Sequence, residues 1–172
     1  MEKIAQFQKV SPEKFVEAAV EMLGLTESEA LCAFESIVLP RRATTGSAGY
    51  DFFAPSTIKL EPGQSLRVPT GIRARIDEGW VLMLYPRSGL GFKFGMRLNN
   101  TVGVIDSDYF FSDNEGHIIA GITNGSSDKI LVIDPGKGFM QGVFSRFGIT
   151  VDDDADGVRN GGMGSTTERN QQ

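Results

Sequence analysis

With 172 residues, 40% of them hydrophobic, the chain is long enough for one domain with a real core and too short for two comfortable ones. Its net charge of −5 argues against broad nucleic-acid binding, which needs basic surface to release counterions, and no apolar run reaches the roughly 18 residues of a membrane span. The single cysteine, Cys32, and single histidine, His117, exclude an internal disulfide and a Cys/His zinc site, so any metal must be held by oxygen.

Residues 4–9 alternate weakly between apolar and polar, a short strand at best. Ser11-Pro12-Glu13 is a helix start, with Ser at the N-cap, Pro at the first helical position and an acid in the first turn. Phe15, Val16, Ala19, Val20 and Leu23 then fall at helical spacing on one face, and Gly24 is a natural stop. Thr26 and Glu29 form a capping-box pattern that opens a second short helix through Ala30 and Leu31. A helical hairpin is therefore expected over 11–34. From Ile37 onward the pattern changes to short strands, at 57–60, 65–68, 71–76, 80–85, 97–99, 118–123, 129–133 and 142–149. Glu61-Pro62-Gly63, Asp77-Glu78-Gly79 and Asp134-Pro135-Gly136 are turns by composition, and the whole indicates an all-β sandwich or barrel. The acidic run 152–156 and the Gly-rich end that follows cannot pack a core and are expected to form a mobile arm. The expected division is a strand plus helical addition over 1–36, a β-barrel core over 37–150 and an arm over 151–172. The N-terminus has no basic region followed by an apolar stretch, and a cytoplasmic setting is expected.

Five short segments carry the chemistry, in this order: Ala48-Gly49-Tyr50-Asp51-Phe52; Pro86-Arg87-Ser88-Gly89-Leu90; Gly103-Val104-Ile105-Asp106-Ser107-Asp108-Tyr109; Pro135-Gly136-Lys137-Gly138-Phe139-Met140-Gln141-Gly142; and Arg159-Asn160-Gly161-Gly162-Met163-Gly164-Ser165-Thr166. The third reads as a Val/Ile strand entering a turn, with Asp106 held at the strand end where a buried backbone fixes its direction, a good place for a base. Taken alone it also reads as an ordinary turn, because Asp and Ser favour turns through local hydrogen bonds. Arg87-Ser88-Gly89 offers a guanidinium fork, a hydroxyl and a backbone free to approach an anion, and equally a Ser-Gly turn with a solvated Arg. Asp51 is either a metal-supporting acid or a turn residue.

Together the series resembles the trimeric dUTP diphosphatases (dUTPases), over roughly residues 34–166. The resemblance implies an all-β, jelly-roll-like dUTPase barrel, here with an added N-terminal helical segment, that forms a homotrimer with sites shared between subunits. It implies hydrolysis of dUTP to dUMP and pyrophosphate by in-line water attack on the α-phosphorus, with Mg2+. On that pattern Asp106 activates the water and contacts the sugar 3′-hydroxyl, Tyr109 lies against the deoxyribose and rejects ribonucleotides, and Asn100 with the backbone of Val104 and Ile105 reads uracil. Ser88 and Gly89 hold the α/β-phosphate region, Arg87 lies near the carboxylate of a neighbouring subunit's site, and Gln141 contacts phosphate. Asp51 supports magnesium through water. Arg159 meets the γ-phosphate, Ser165 and Thr166 offer hydroxyls, and Met163 covers uracil.

The chain departs from this pattern at three places. Gly138 stands where the family often has Arg, and Met163 where many relatives have a phenylalanine that stacks on uracil. Between Tyr109 and Gly116 the chain inserts Phe110-Phe111-Ser112-Asp113-Asn114-Glu115 where the common pattern needs one residue, which is expected to lengthen a hairpin beside the base pocket. His117 next to it is expected to be structural. The alternatives are a dCTP deaminase or bifunctional deaminase and diphosphatase of the same superfamily, and a nucleotide-binding regulatory protein acting through its inserts, with a protein partner at the helical segment.

Overall fold

The computed structural model describes residues 2–157 and 159. Its first strand, β1 (Ala5–Lys9), lies antiparallel to β6 (Ile72–Ile76), with Phe7 opposite Ala74. The chain then turns into α1 (Pro12–Leu23), where the Ser11 hydroxyl accepts the Lys14 N–H and Gly24, at φ +66°, ends the helix in the left-handed conformation. α2 (Glu27–Glu35) opens with the Thr26/Glu29 capping box, in which Glu29 also accepts the Thr26 N–H at 2.8 Å. The two helices bury Val10, Phe15, Ala19 and Ala30 between themselves and the barrel, with Phe34 and Ile37 packed alongside. Val20, grouped with the buried face by spacing, is exposed.

The remaining strands are β2 (Arg41–Arg42), β3 (Tyr50–Phe53), β4 (Ile58–Leu60), β5 (Ser65–Pro69), β7 (Trp80–Pro86), β8 (Arg97–Leu98), β9 (Gly103–Ile105), β10 (Ile119–Thr123), β11 (Leu131–Ile133) and β12 (Gly138–Arg146). They pair antiparallel throughout, in a five-stranded sheet of order β2-β3-β12-β7-β9, a three-stranded sheet β5-β10-β8, and the pairs β4-β11 and β1-β6. Period-two alternation explains which side chains enter the core. Ile72, Ala74 and Ile76 of β6 point in while Arg75 points out, and Ile58 and Leu60 flank the exposed Lys59. Phe52, Leu82, Ile118, Ile122, Phe139 and Met140 complete one continuous apolar interior.

β3 and α3 (Ser88–Phe94) lack a sequence signal of their own. β3 follows Gly49 directly, and α3 forms from Ser-Gly-Leu-Gly-Phe-Lys-Phe, which has neither helical periodicity nor strong helix formers. The expected strand over 142–149 begins earlier, at Gly138, and stops at Arg146.

Gly71 joins the helical pair to the barrel. Its φ is +70°, and a Cβ there would run into Ile37 and Phe15, so only glycine lets the Phe15 ring seat against the start of β6. Phe15 is fully buried, with its ring 5.7 Å from Phe34 and 6.3 Å from His117 between centroids. Phe15→Ala is expected to lower stability by about 3–5 kcal/mol in urea titration, the usual cost of deleting a fully buried ring.

Candidate functional site

β9 is the terminal strand of its sheet, so one edge carries backbone N–H and C=O groups with no strand partner. Gly103 and Ile105 face the core and Val104 is 55% exposed. The preceding turn holds Thr101 at φ +67°, with the Val102 N–H donating to the Asn100 carbonyl at 2.7 Å, and leaves Asn100 exposed. At the other end of β9, Asp106 begins a 3-10 turn (Ser107–Phe111) through its backbone carbonyl, which accepts the Tyr109 N–H at 3.2 Å. The Asp106 side chain makes no cap hydrogen bond, so the carboxylate is not engaged by the turn. It pairs with Arg159 at 3.2 Å, and the same guanidinium meets Asp108 at 3.4 Å and lies 5.6 Å from the centre of the Tyr109 ring. Asp108 was not singled out by the sequence pattern, although its place two residues after Asp106 in the Asp-Ser-Asp run is the signal that would have found it.

Tyr109 is only 4% exposed, and its hydroxyl donates to the His117 carbonyl at 2.8 Å. Burial pushes the phenol above its ordinary pKa, against the lowering effects of the Asn114 hydrogen bond and the Arg159 charge. His117 is structural, as expected: its Nε2 accepts the Gly71 N–H at 2.9 Å in the interior. The residues inserted over 110–115 do not lengthen a hairpin. The strands on either side of them, β9 and β10, lie in different sheets, and the inserted residues finish the 3-10 turn and fold back over Tyr109. Within the insert Phe110 lies under the Arg73 guanidinium, 3.6 Å from ring centre to Cζ, while Phe111 is 74% exposed.

A second cluster gathers where β3, β7 and β12 meet. The Arg87 Nε is 3.4 Å from Asp51, and its Nη1 reaches the Gly138 carbonyl at 3.4 Å. A Cβ at Gly138 would come within 2.6 Å of that Nη1, so the guanidinium of Arg87 fills the space over the glycine. Gln141 donates to the Pro86 carbonyl at 3.4 Å and covers Gly49, whose Cβ would meet Gln141 Oε1 at 2.6 Å. Ser88 and Gly89 form the first turn of α3, where backbone N–H groups have no partner inside the helix.

The structure brings Asp106, Tyr109 and Arg159 together, and separately Asp51, Arg87 and Gln141. It does not join the two groups within one chain. Ile105 is paired with Leu82 near the start of β7, whereas Arg87 follows the other end of that strand, a separation of roughly 16–17 Å along the strand. Met163, Ser165 and Thr166 lie outside the described residues. Among the described residues no group of three or more His, Cys, Asp or Glu side chains is arranged to hold a metal ion, and no helix is long and apolar enough to cross a membrane.

A family profile described as dUTPase matches residues 35–166. The deoxyuridine 5′-triphosphate nucleotidohydrolase of Lactococcus lactis subsp. lactis is 42% identical over 133 residues, which cover 76% of this chain and 88% of that protein. The crystal structure of dUTPase from Streptococcus mutans matches with a TM-score of 0.63 at 33% identity, over 84% of this chain and 97% of that one. A mutant dUTPase from phage phi11 of S. aureus, whose structure details the coordination of a structural Mg(II) ion, shares the fold with a TM-score of 0.62 at 21% identity, over 90% of this chain and 98% of that one. Antiparallel sheets around one core, with carboxylates and guanidinium groups at the strand ends, are thus those of an all-β nucleotide hydrolase. The chain belongs to the dUTPase family, and its activity is that of a dUTP diphosphatase.

The buried His117 gives the stability a definite pH dependence. Burial lowers its pKa from 6.5 to about 4, against the raising effect of Glu115. The folded chain therefore holds the ring neutral where the unfolded chain would protonate it. This contribution is complete above about pH 6.5 and is lost as the pH falls toward 4. Urea titrations of the wild type at pH 7 and pH 4.5 are expected to differ by about 2–3 kcal/mol from this group. His117→Gln, which keeps an acceptor for the Gly71 N–H, is expected to reduce that difference.

Proposed function

We propose that Asp106 is the base with which this dUTPase hydrolyses dUTP to dUMP and pyrophosphate. The observation that carries the reading is its placement: the backbone of β9 and the 3-10 turn fix the residue, while the carboxylate stays free of the turn and open to solvent. Asp106 takes a proton from water, the water oxygen bonds to the α-phosphorus, and the bridging P–O bond breaks in line, so that pyrophosphate leaves with that bond's electron pair. The Tyr109 ring lies against the deoxyribose and leaves no room for a 2′-hydroxyl. The open edge of β9, with Asn100 at the turn before it, reads the uracil edge. Cytosine is rejected because it would leave buried donors or acceptors unpaired.

Arg87, Ser88, Gly89 and Gln141 hold the phosphates, and they come from a neighbouring copy in a homotrimer. The separation of the two clusters along β7 supports this, since within one chain Arg87 lies at the far end of that strand from Asp106. Arg159 serves the γ-phosphate, and Met163, Ser165 and Thr166 are assigned to the closing arm, with Met163 over the base. The residues fit a magnesium ion held mainly by phosphate and water. Asp51 is a single, partly exposed carboxylate, and a hard cation of this size needs only one or two. When bound, the ion neutralises charge on the phosphate oxygens. A nucleoside triphosphate substrate and a lone free cysteine fit a cytoplasmic setting. We propose the same division as the sequence: 1–36 an addition, 37–150 the core and 151–172 the arm.

The test is pyrophosphate release from dUTP, dCTP, TTP and UTP, with magnesium and with a chelator. Release from dUTP alone, abolished by the chelator, is expected. Ammonia release from dCTP would assign the chain to the deaminase branch instead, and no release from any nucleotide would leave binding as its role. Asp106→Asn is expected to cut turnover at least about a hundredfold while dUTP still binds, because the amide keeps the shape and cannot take a proton. Retained turnover would remove Asp106 from the role of base. Arg159→Ala is expected to lower kcat/KM by about tenfold or more, with little change in melting temperature, because the residue adds contacts at the site and no core.

A further inference from the structure

The insert over 110–115 has no place in the mechanism above, yet one of its side chains, Asn114, reaches an atom of the site, the Tyr109 hydroxyl. That hydroxyl has one proton to give and two lone pairs. It gives the proton to the His117 carbonyl at 2.8 Å and accepts from Asn114 Nδ2 at 2.9 Å. The same Nδ2 lies 3.4 Å from the His117 carbonyl, and Asn114 Oδ1 accepts the Gly116 N–H at 3.1 Å. The side-chain amide therefore closes a small ring of hydrogen bonds behind the phenol, on residues already half or fully buried.

The loop is shaped to deliver that amide. Glu115 and Gly116 both adopt left-handed backbone, at φ +61° and +70°, and a Cβ on Gly116 would stand 2.7 Å from the Phe110 Cα and the Tyr109 carbonyl. A left-handed glutamate is strained. Its carboxylate makes contacts that offset the strain, accepting the Ser11 N–H at 2.8 Å at the head of α1 and facing Arg73 at 3.9 Å. The Ser11 hydrogen bond, set against partial burial, holds that carboxyl below its ordinary pKa. Arg73 in turn donates to the Phe110 carbonyl at 2.8 Å and stacks on the Phe110 ring. The insert is thus fastened to the helical addition on one side and to β6 on the other.

We infer that Asn114 is a positioning residue for sugar discrimination, holding the Tyr109 ring through its hydroxyl so that the ring face meets the deoxyribose at a fixed depth. The inference rests on the reading of Tyr109 as the residue against the sugar. Steric rejection of one hydroxyl demands such support, since a ring that can withdraw by a fraction of an ångström opens the space it is meant to close. Asn114 touches no substrate atom on this account and acts only through Tyr109.

The experiment is kcat/KM for dUTP and for UTP in the wild type, N114A, N114D, Y109F, Y109A and the double variant Y109F/N114A. N114A is expected to lower the dUTP/UTP ratio by about three- to tenfold, the effect of one lost hydrogen bond. N114D keeps the acceptor for the Gly116 N–H and lacks the donor, so it is expected to do the same, and it stands in if the alanine variant fails to fold. In the Y109F background N114A is expected to change the ratio by less than about twofold, because the atom it acts on is gone. A ratio unchanged in both N114A and N114D while Y109A lowers it would overturn the inference, as would an undiminished N114A effect in the Y109F background. A ratio unchanged in Y109A would instead show that Tyr109 does not face the sugar, and the inference would fall with that assignment.

Discussion

The contact between Gly71 and His117 is the one on which most of the molecule depends. Both backbone polar groups of Gly71 are committed: its N–H goes to the buried imidazole and its carbonyl accepts the Val10 N–H at 3.0 Å. One residue thereby joins the N-terminal strand and helices to the start of β6. His117 carries the connection onward, since its own carbonyl takes the Tyr109 hydroxyl. The order of the barrel, the seat of the helical pair and the position of a site tyrosine share these few atoms. A neutral imidazole suits such a junction because it accepts one hydrogen bond in a dry interior without carrying a charge there.

Charge at the site is arranged in opposed pairs. Asp51 faces Arg87, and Asp106 with Asp108 faces Arg159, so an acidic chain keeps its guanidinium groups beside carboxylates. On the proposed assignment a triphosphate does not enter a vacant cationic pocket. It competes for guanidinium groups that already have partners, and it releases Asp106 from Arg159 as it does so. Each pair has one half-exposed partner, and the exchange leaves the Asp106 carboxylate free when the nucleotide is in place.

Local signals were legible in the sequence wherever the physics is local. Ser11-Pro12 and Thr26 with Glu29 mark the two helix starts because a cap needs only its own turn, and the short run over 71–76, closed by the Asp77-Glu78-Gly79 turn, marks β6. α3 was not legible, since its two glycines and two phenylalanines carry no helical period. The insert was misread as a longer hairpin because strand pairing is a long-range property, and nothing within 110–115 says that β9 and β10 belong to different sheets. The five segments lie far apart in the chain, and the fold gathers their described residues. Their grouping into two clusters at opposite ends of β7 depends on register, which a linear sequence does not display, and Asn114 emerged only from the fold-back of its loop.

The contact between Arg87 and Gly138 ties together two sequence positions about fifty residues apart. Arg87 rests where any side chain at 138 would begin, so the two positions cannot be chosen independently. A larger residue at 138 would meet the tip of a flexible side chain rather than backbone, and the fold itself would tolerate it. The displaced guanidinium would move off Asp51, and the polar face where β3 and β12 meet would be rebuilt. The glycine and the arginine together are one solution for filling that volume with a single positive charge.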